Sequence, residues 1–379
     1  MINRIKIKNF RSLDIDVELE PVTVLVGRSG TGKSNFVDAI RFLRDCLLNQ
    51  REVFNYTKAN ILPITNKTNS SLLEYEISFD VSQLSGIFTY SIKFNFDKNF
   101  IQEEKLSFEN EVLFHQAKGK WIVTPDITPT IYLSNAVCLN RIKGIQKISI
   151  ASIALSEGIG CYDFPGSVCR EGNNQNTTNG LLDNGTNTNA IFGELRHDLT
   201  RLSSWDHINK SMRFLNDSIQ MIDQQSGRSG EIIVTHCFGD HPIVLELSCE
   251  SEGCRRFFAY MLAFHQSPPK QTMIFEEPEK GLYPAAFAVL ADEMKNCPKS
   301  GQGQVILTTH SPDLLNSFEL ESLRVVVMEE GITRIGLVAP DQMKSLQEFL
   351  LNLGELLTVD DARIDPLIIP PVALEGQTV

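Results

Sequence analysis

The stretch TVLVGRSGTGKSNFVDAI, residues 23–40, constrains the fold of this chain more than any other. An apolar run ends in Gly27, and Gly32, Lys33 and Ser34 complete the spacing G-x-x-x-x-G-K-[ST]. A loop that wraps a phosphate must turn several backbone N–H groups inward. That needs close approach and positive φ, and glycine permits both. Phe36, Ile40, Leu43 and Leu47 then recur at helical spacing. The loop therefore opens a helix, whose N-terminus adds partial positive charge. In this reading Lys33 reaches the β- and γ-phosphates of a nucleotide and the Ser34 hydroxyl binds Mg²⁺. The competing reading is a plain glycine turn between strand and helix.

A second constellation gives the loop something to work with. TMIFEEPEKGLYP places Glu276 and Glu277 after four mostly apolar residues, at the C-terminal end of a buried strand. Ligands bind at that end in open α/β sheets. One carboxylate can hold Mg²⁺ and the next can polarise an attacking water. An isolated Glu-Glu pair reads equally as a solvated strand end; beside a phosphate loop it reads as machinery. QVILTTHSPDLL ends another buried run at His310. On its own that histidine is a local hydrogen-bonding group; within this set it is a candidate γ-phosphate sensor.

The remaining pattern is α/β. Ile5 and Ile7 share one strand face, Val17 and Leu19 another, and Val22, Val24 and Val26 a third. EYEISFDV and FTYSIKFNFD alternate strictly and read as an antiparallel hairpin, with a loop expected over 51–70 and a further strand near 132. From 140 to 230 the texture is helical but interrupted, and the Asn/Thr/Gly-rich segment 171–189 reads as a flexible surface loop. EIIVTHCF and PIVLELS return to strand and RRFFAYMLAFH to helix. TMIFEEPE, QVILTTHS and RVVVMEE are short apolar runs typical of parallel strands, separated by helices at 283–296 and 311–318. No internal repeat is visible.

Composition narrows the function classes. The chain of 379 residues carries a formal charge of −12, which argues against a surface that binds nucleic acid throughout. It leaves room for a local patch such as RIKGIQK, with Arg141, Lys143 and Lys147. The eight cysteines form no CxxC pair and read as reduced, mostly buried thiols rather than a metal site. No apolar run approaches a membrane span, and MINRIKIKNFRSL lacks a secretory signal's apolar block, so a cytoplasmic location without membrane contact is expected.

Taken in order, IKIKNFRSL, GRSGTGKSN, SEGCRRF, FEEPEKGLYP and ILTTHSPDLL resemble the ABC-type ATPase heads of the RecF, SMC and OLD group of AAA family ATPases. The resemblance covers residues 1–50 and 245–330 best. It implies a P-loop NTPase head with an antiparallel N-terminal β section, a parallel core sheet and a helical insertion. The corresponding division is one composite domain: an N-terminal lobe (1–135), a helical insertion suited to partner contact (136–230), a lobe over 231–340 and a tail over 341–379. By that resemblance Gly27, Arg28, Ser29, Gly30, Thr31, Gly32, Lys33 and Ser34 form Walker A, with Asn35 beside it. Glu276 takes the Walker B magnesium position, Glu277 the catalytic base and His310 the switch histidine. GLYP, residues 281–284, falls near the D-loop, and Ser251, Glu252 and Gly253 form a degenerate signature that caps the γ-phosphate of an opposite subunit. Arg11 lies near the nucleotide or, alternatively, on the surface.

The implied ligands are ATP and Mg²⁺, and the implied assembly is a homodimer or higher homo-oligomer. Several features depart from the family pattern. Glu276 stands where an aspartate is usual, the signature is not LSGGQ, and Gln102, Gln116 and Gln146 are all weak choices for a Q-loop glutamine. Slow or conditional hydrolysis is expected. There is no long coiled coil, and only about forty residues follow RVVVMEEGITRIGLV, too few for the nuclease domain of OLD proteins. A separate effector, nuclease or toxin, is therefore expected, as in the ATPase components of antiphage defence operons, with DNA repair as another setting. A non-hydrolysing ATP-bound scaffold, a transporter subunit and a small-molecule kinase are the alternatives, the last two fitting less well.

Overall fold

The computed structural model describes residues 1–48, 72–123, 136–170, 180–225, 230–348 and 350–365. The loop expected over 51–70, the strand near 132, residues 171–179 and the tail beyond 365 lie outside the described residues. Sixteen strands are present among the described residues: β1 (Ile2–Phe10), β2 (Leu13–Glu18), β3 (Val22–Val26), β4 (Leu72–Val81), β5 (Leu84–Asn95), β6 (Phe100–Phe108), β7 (Glu111–Ala117), β8 (Lys120–Val123), β9 (Ile159–Tyr162), β10 (Ile219–Gln224), β11 (Ile232–Phe238), β12 (His241–Glu246), β13 (Thr272–Glu276), β14 (Gln304–Thr308), β15 (Leu323–Glu329) and β16 (Ile332–Gly336). The helices are α1 (Lys33–Leu48), α2 (Gln146–Leu155), α3 (Thr188–His197), α4 (Leu202–Leu215), α5 (Glu252–His265), α6 (Ala285–Lys299), α7 (Pro312–Leu315), α8 (Pro340–Gln347) and α9 (Glu355–Thr358).

Thirteen strands form one sheet, ordered β8-β7-β6-β5-β4-β1-β2-β16-β15-β3-β14-β13-β9. Its first half is an antiparallel meander. The hairpin read from strict alternation pairs β4 with β5, Leu73 opposite Phe94 and Phe79 opposite Phe88, the latter rings stacked at 5.3 Å. The second half is parallel: β15, β3, β14, β13 and β9 run the same way. Both faces of this half are covered, which explains the continuous apolar runs. Leu25, Ile274 and Ile306 pack into the core on the α1 side, whereas Val24, Val26, Phe275 and Leu307 pack into the core on the α5 side.

The segment read as helical supplies α2, α3 and α4, but also β9 and β10. Ile159–Tyr162 is buried at all four positions and pairs in parallel with β13, closing the core sheet. Four residues are too few to display a period, so the strand is decided by what they pack against. A further stitch is invisible in the sequence. The buried Gln304 amide accepts from the Ile2 N–H at 2.9 Å and donates to the Ile2 and Glu20 carbonyls, tying β1 to the parallel core. Strands β10, β11 and β12 form a separate antiparallel sheet. Among the described residues no helix is long and apolar enough to cross a membrane.

Candidate functional site

The glycine loop spans the gap between β3, ending at Val26, and α1, beginning at Lys33. Two of its glycines are enforced. A Cβ on Gly32 would sit 2.1 Å from the Thr333 Oγ1, and the residue has φ +105°; a Cβ on Gly27 would sit 2.1 Å from the Val326 carbonyl oxygen. The loop is thus pressed onto β15 and β16. Thr333, buried on β16, donates to the Thr31 carbonyl at 2.8 Å and contacts the Ser12 hydroxyl at 2.7 Å. Asn35 in turn donates to Ser12 at 2.8 Å. Thr333 carries no motif signal because it comes from a strand about 300 residues away, and Ser12, in the turn between β1 and β2, gives no sign in the sequence that it meets Asn35.

Lys33 is 4% exposed and turns back into the loop, donating to the Gly27 carbonyl at 2.7 Å and the Arg28 carbonyl at 2.9 Å. Burial pulls its pKa down to about 8, against the opposing pull of Glu277 and Glu279. The sign of the linkage follows. Between about pH 8 and 10.5 the unfolded chain holds a proton on this lysine that the folded chain has lost, so stability rises with pH across that window. Replacing Lys33 by Met removes a contribution of up to about 3 kcal/mol to that rise, taking 1.36 kcal/mol per pKa unit. Chemical denaturation of wild type and variant at pH 7.5 and 10 measures the difference.

Two more groups, Glu277 and His310, act on Lys33 or are acted on by it, and Glu276 precedes the first of them. Glu276 ends β13 opposite Thr308 of β14. Glu277 follows with φ +45°, a left-handed conformation costing about 1–2 kcal/mol for a non-glycine residue. Its N–H is held by the Thr308 carbonyl and hydroxyl oxygens, both at 3.1 Å. Its carboxylate lies 2.8 Å from the Lys280 ammonium and 3.7 Å from His310 Nε2. His310 is lowered below the usual imidazole range, first by burial and then by the charge of Lys33, so it is neutral at pH 7. Lys33, Glu277 and His310, far apart along the chain, are therefore neighbours.

Glu279 is the residue that motif reading passed over. Its Oε1 accepts from the Thr309 hydroxyl at 2.8 Å and the His310 N–H at 2.7 Å, clamping the strand end that presents the histidine. Two residues past Glu277 in EEPE, it offered the same signal as its neighbours, but nothing in the sequence tells a ligand-facing carboxylate from a structural one.

A cleft of about 840 Å³ opens over the loop, lined by Gly27–Thr31, His310, Val326–Met328 and, from the far end of the chain, Leu356, Leu357 and Asp361. Arg28 forms an ion pair with Asp361 at its mouth. Arg11 does not point into this cleft's lining. Its guanidinium donates to Asn35 at 3.0 Å and Asp38 at 2.6 Å on α1. Ser251 and Gly253 are also apart from the cleft lining. Ser251 caps α5, its hydroxyl accepting from the Cys254 N–H at 3.2 Å, and is exposed. Gly253 lies against the Gly281 carbonyl, 2.8 Å from where a Cβ would be, and Arg256 donates to the Lys280 carbonyl at 2.5 Å. The start of α5 and the 281–284 turn are thus one unit. In the basic stretch, Lys147 pairs with Glu111 at 2.6 Å and lies over the Phe108 ring.

Residues 1–155 match a family described as AAA ATPase domain, and residues 185–316 match one described as "AAA domain, putative AbiEii toxin, Type IV TA system". Over 352 residues the chain is 25% identical to the Old nuclease of Escherichia phage P2, covering 83% of this chain and 57% of that protein. These matches support a P-loop ATPase of the RecF, SMC and OLD type. The chain spans little more than half the length of the nuclease it matches. Two solved SMC heads share the fold of this ATPase. One, bound to the C-terminal winged-helix domain of ScpA, superposes with TM-score 0.57 at 15% identity, over 90% of this chain and 99% of that one. The other, from Pyrococcus furiosus with an extended coiled coil, gives 0.55 at 13% identity over 92% and 99%.

Proposed function

We propose that this ATPase binds ATP with Mg²⁺ in the Gly27–Ser34 loop, hydrolyses it slowly, and dimerises around it to control a separate effector. The observation that carries the proposal is the meeting of Lys33, Glu277 and His310 at the mouth of a strand–loop–helix phosphate cradle that admits no Cβ at Gly32. The donors fit the ligands. A buried ammonium at the loop's centre suits a phosphate, and the Ser34 hydroxyl with the Glu276 carboxylate gives the hard oxygens that Mg²⁺ prefers. When bound, Mg²⁺ would neutralise charge on the phosphates.

The chain's own groups do the rest. Glu277 accepts a proton from the attacking water, and the neutral His310 imidazole hydrogen-bonds at the γ-phosphate. Lys33 leaves its two carbonyl partners for phosphate oxygens, which raises its affinity for the proton and keeps it charged. Glu277 must also release Lys280, which ties down the carboxylate at 2.8 Å. That tie supports conditional turnover: a partner that draws Lys280 away frees the base. Ser251, exposed at a helix N-terminus outside its own cleft, meets the γ-phosphate of a second copy in this reading, as a helix N-terminus suits an anion. The setting we favour is antiphage defence or DNA repair, with a nuclease or toxin as the effector.

Nucleotide content after purification, followed by phosphate release, tests the core of the proposal. ATP that stays bound with no release of phosphate would instead support a scaffold. Direct DNA contact through Arg141, Lys143 and Lys147 is the weaker arm, since Glu111 already pairs with Lys147. If it operates, DNA affinity falls linearly on a log–log salt plot, with a slope of about −0.9 per phosphate contacted. Affinity indifferent to salt removes DNA from the partners.

A further inference from the structure

Away from the nucleotide cleft, three helices bring metal-ligating side chains to one point. His207 stands on α4, His265 is the last residue of α5 and Glu293 lies mid-way along α6. One ligand atom from each falls within 4.8 Å of the others. The His207 Nε2 contacts the Glu293 Oε1, and the His265 Nε2 lies 3.6 Å from the Glu293 Oε2. The two imidazole rings are 4.9 Å apart between centroids.

Glu293 faces both histidines, but its 3.6 Å approach to His265 is longer than a hydrogen bond. His265 is 6% exposed, and among the described residues neither of its ring nitrogens has a partner within hydrogen-bond distance. A buried imidazole with both nitrogens unmatched is costly unless something else meets it. Ligand atoms around a tetrahedral zinc stand roughly 3.3 Å apart for bonds of 2.0–2.1 Å, so small side-chain shifts would satisfy the geometry.

We propose that His207, His265 and Glu293 form a binding site for a divalent cation of the zinc class, with water completing the shell. Imidazole and carboxylate ligands in this ratio suit zinc. His207 is half exposed and gives the ion an entry path, while the other two side chains sit beneath it. The site joins the far end of α5 to α4 and α6. It lies about 20 Å along α5 from Ser251, at 1.5 Å per residue. An ion there holds together the lobe that carries Ser251, without touching the nucleotide.

The test uses the full chain without an affinity tag, stripped by chelator and then dialysed against micromolar Zn²⁺ or Co²⁺. Wild type is expected to retain one zinc per chain, to show the visible d–d band of four-coordinate Co²⁺, and to melt a few degrees higher with zinc. His207→Ala, compared with its own metal-free melting temperature, is expected to weaken zinc affinity by at least about 10-fold and to lose both the band and the thermal shift. Glu293→Gln should do the same. Wild type that takes up no zinc, or a His207→Ala protein with undiminished zinc affinity and cobalt band, overturns the proposal.

Discussion

Glu277→Gln is expected to lower steady-state ATP turnover about 10²- to 10⁴-fold, the usual cost of losing a single general base. ATP affinity should change little. The substitution keeps the side chain's size and its capacity to accept from Lys280, and Glu277 does not belong to the Gly27–Ser34 loop. The backbone strain at φ +45° is untouched as well, so stability should stay within about 0.5 kcal/mol, the range of substitutions that remove no packing. The measurement is phosphate release under saturating ATP, paired with nucleotide binding by the same protein. Turnover near the wild-type rate would remove Glu277 from the role of base. Glu279, which clamps the His310 N–H, would then be the carboxylate to test.

The trapped Glu277→Gln protein sets up the second large effect. With ATP it is expected to elute as a dimer, and adding Ser251→Asp should weaken that dimer by about 10³-fold for each nucleotide site. Aspartate caps a helix as well as serine does, so α5 keeps the hydrogen bond from Cys254 and the fold is unaffected. What changes is charge. A carboxylate about 4 Å from a phosphate oxygen, at an effective dielectric of 20, is repelled by about 4 kcal/mol. Sedimentation of the double variant with and without ATP gives the comparison. Dimerisation unaffected by the aspartate would place the ATP-dependent interface away from the start of α5, and the reading of SEGCRRF as a signature would fall with it.

Much of the site was legible because phosphate chemistry demands particular residues at particular spacings. Gly27, Gly32, Lys33 and Ser34 stand close in sequence, and the loop that joins β3 to α1 is local structure. Glu276, Glu277 and His310 were legible for a related reason: each ends an apolar run, and in a parallel sheet covered on both faces such runs end at one edge. Thr333, Ser12 and Glu279 were not. Their contribution is to press the loop and the His310 segment into place, and ordinary polar residues do this without any spacing rule. The tie between Arg28 and Asp361 joins positions more than 300 residues apart and could only be seen in three dimensions.

The amino-acid order by itself determined the α/β alternation, the glycine loop and the strand-end positions of Glu276, Glu277 and His310, because hydrophobic period and motif spacing are properties of short segments. Tertiary structure alone decided that β9 closes the core sheet, that Arg11 turns to α1, that Lys280 pairs with Glu277, and that His207, His265 and Glu293 meet. Each of those depends on which surfaces a strand or helix buries against another. That choice is made by packing and burial summed over the whole molecule, and no short window of sequence contains it.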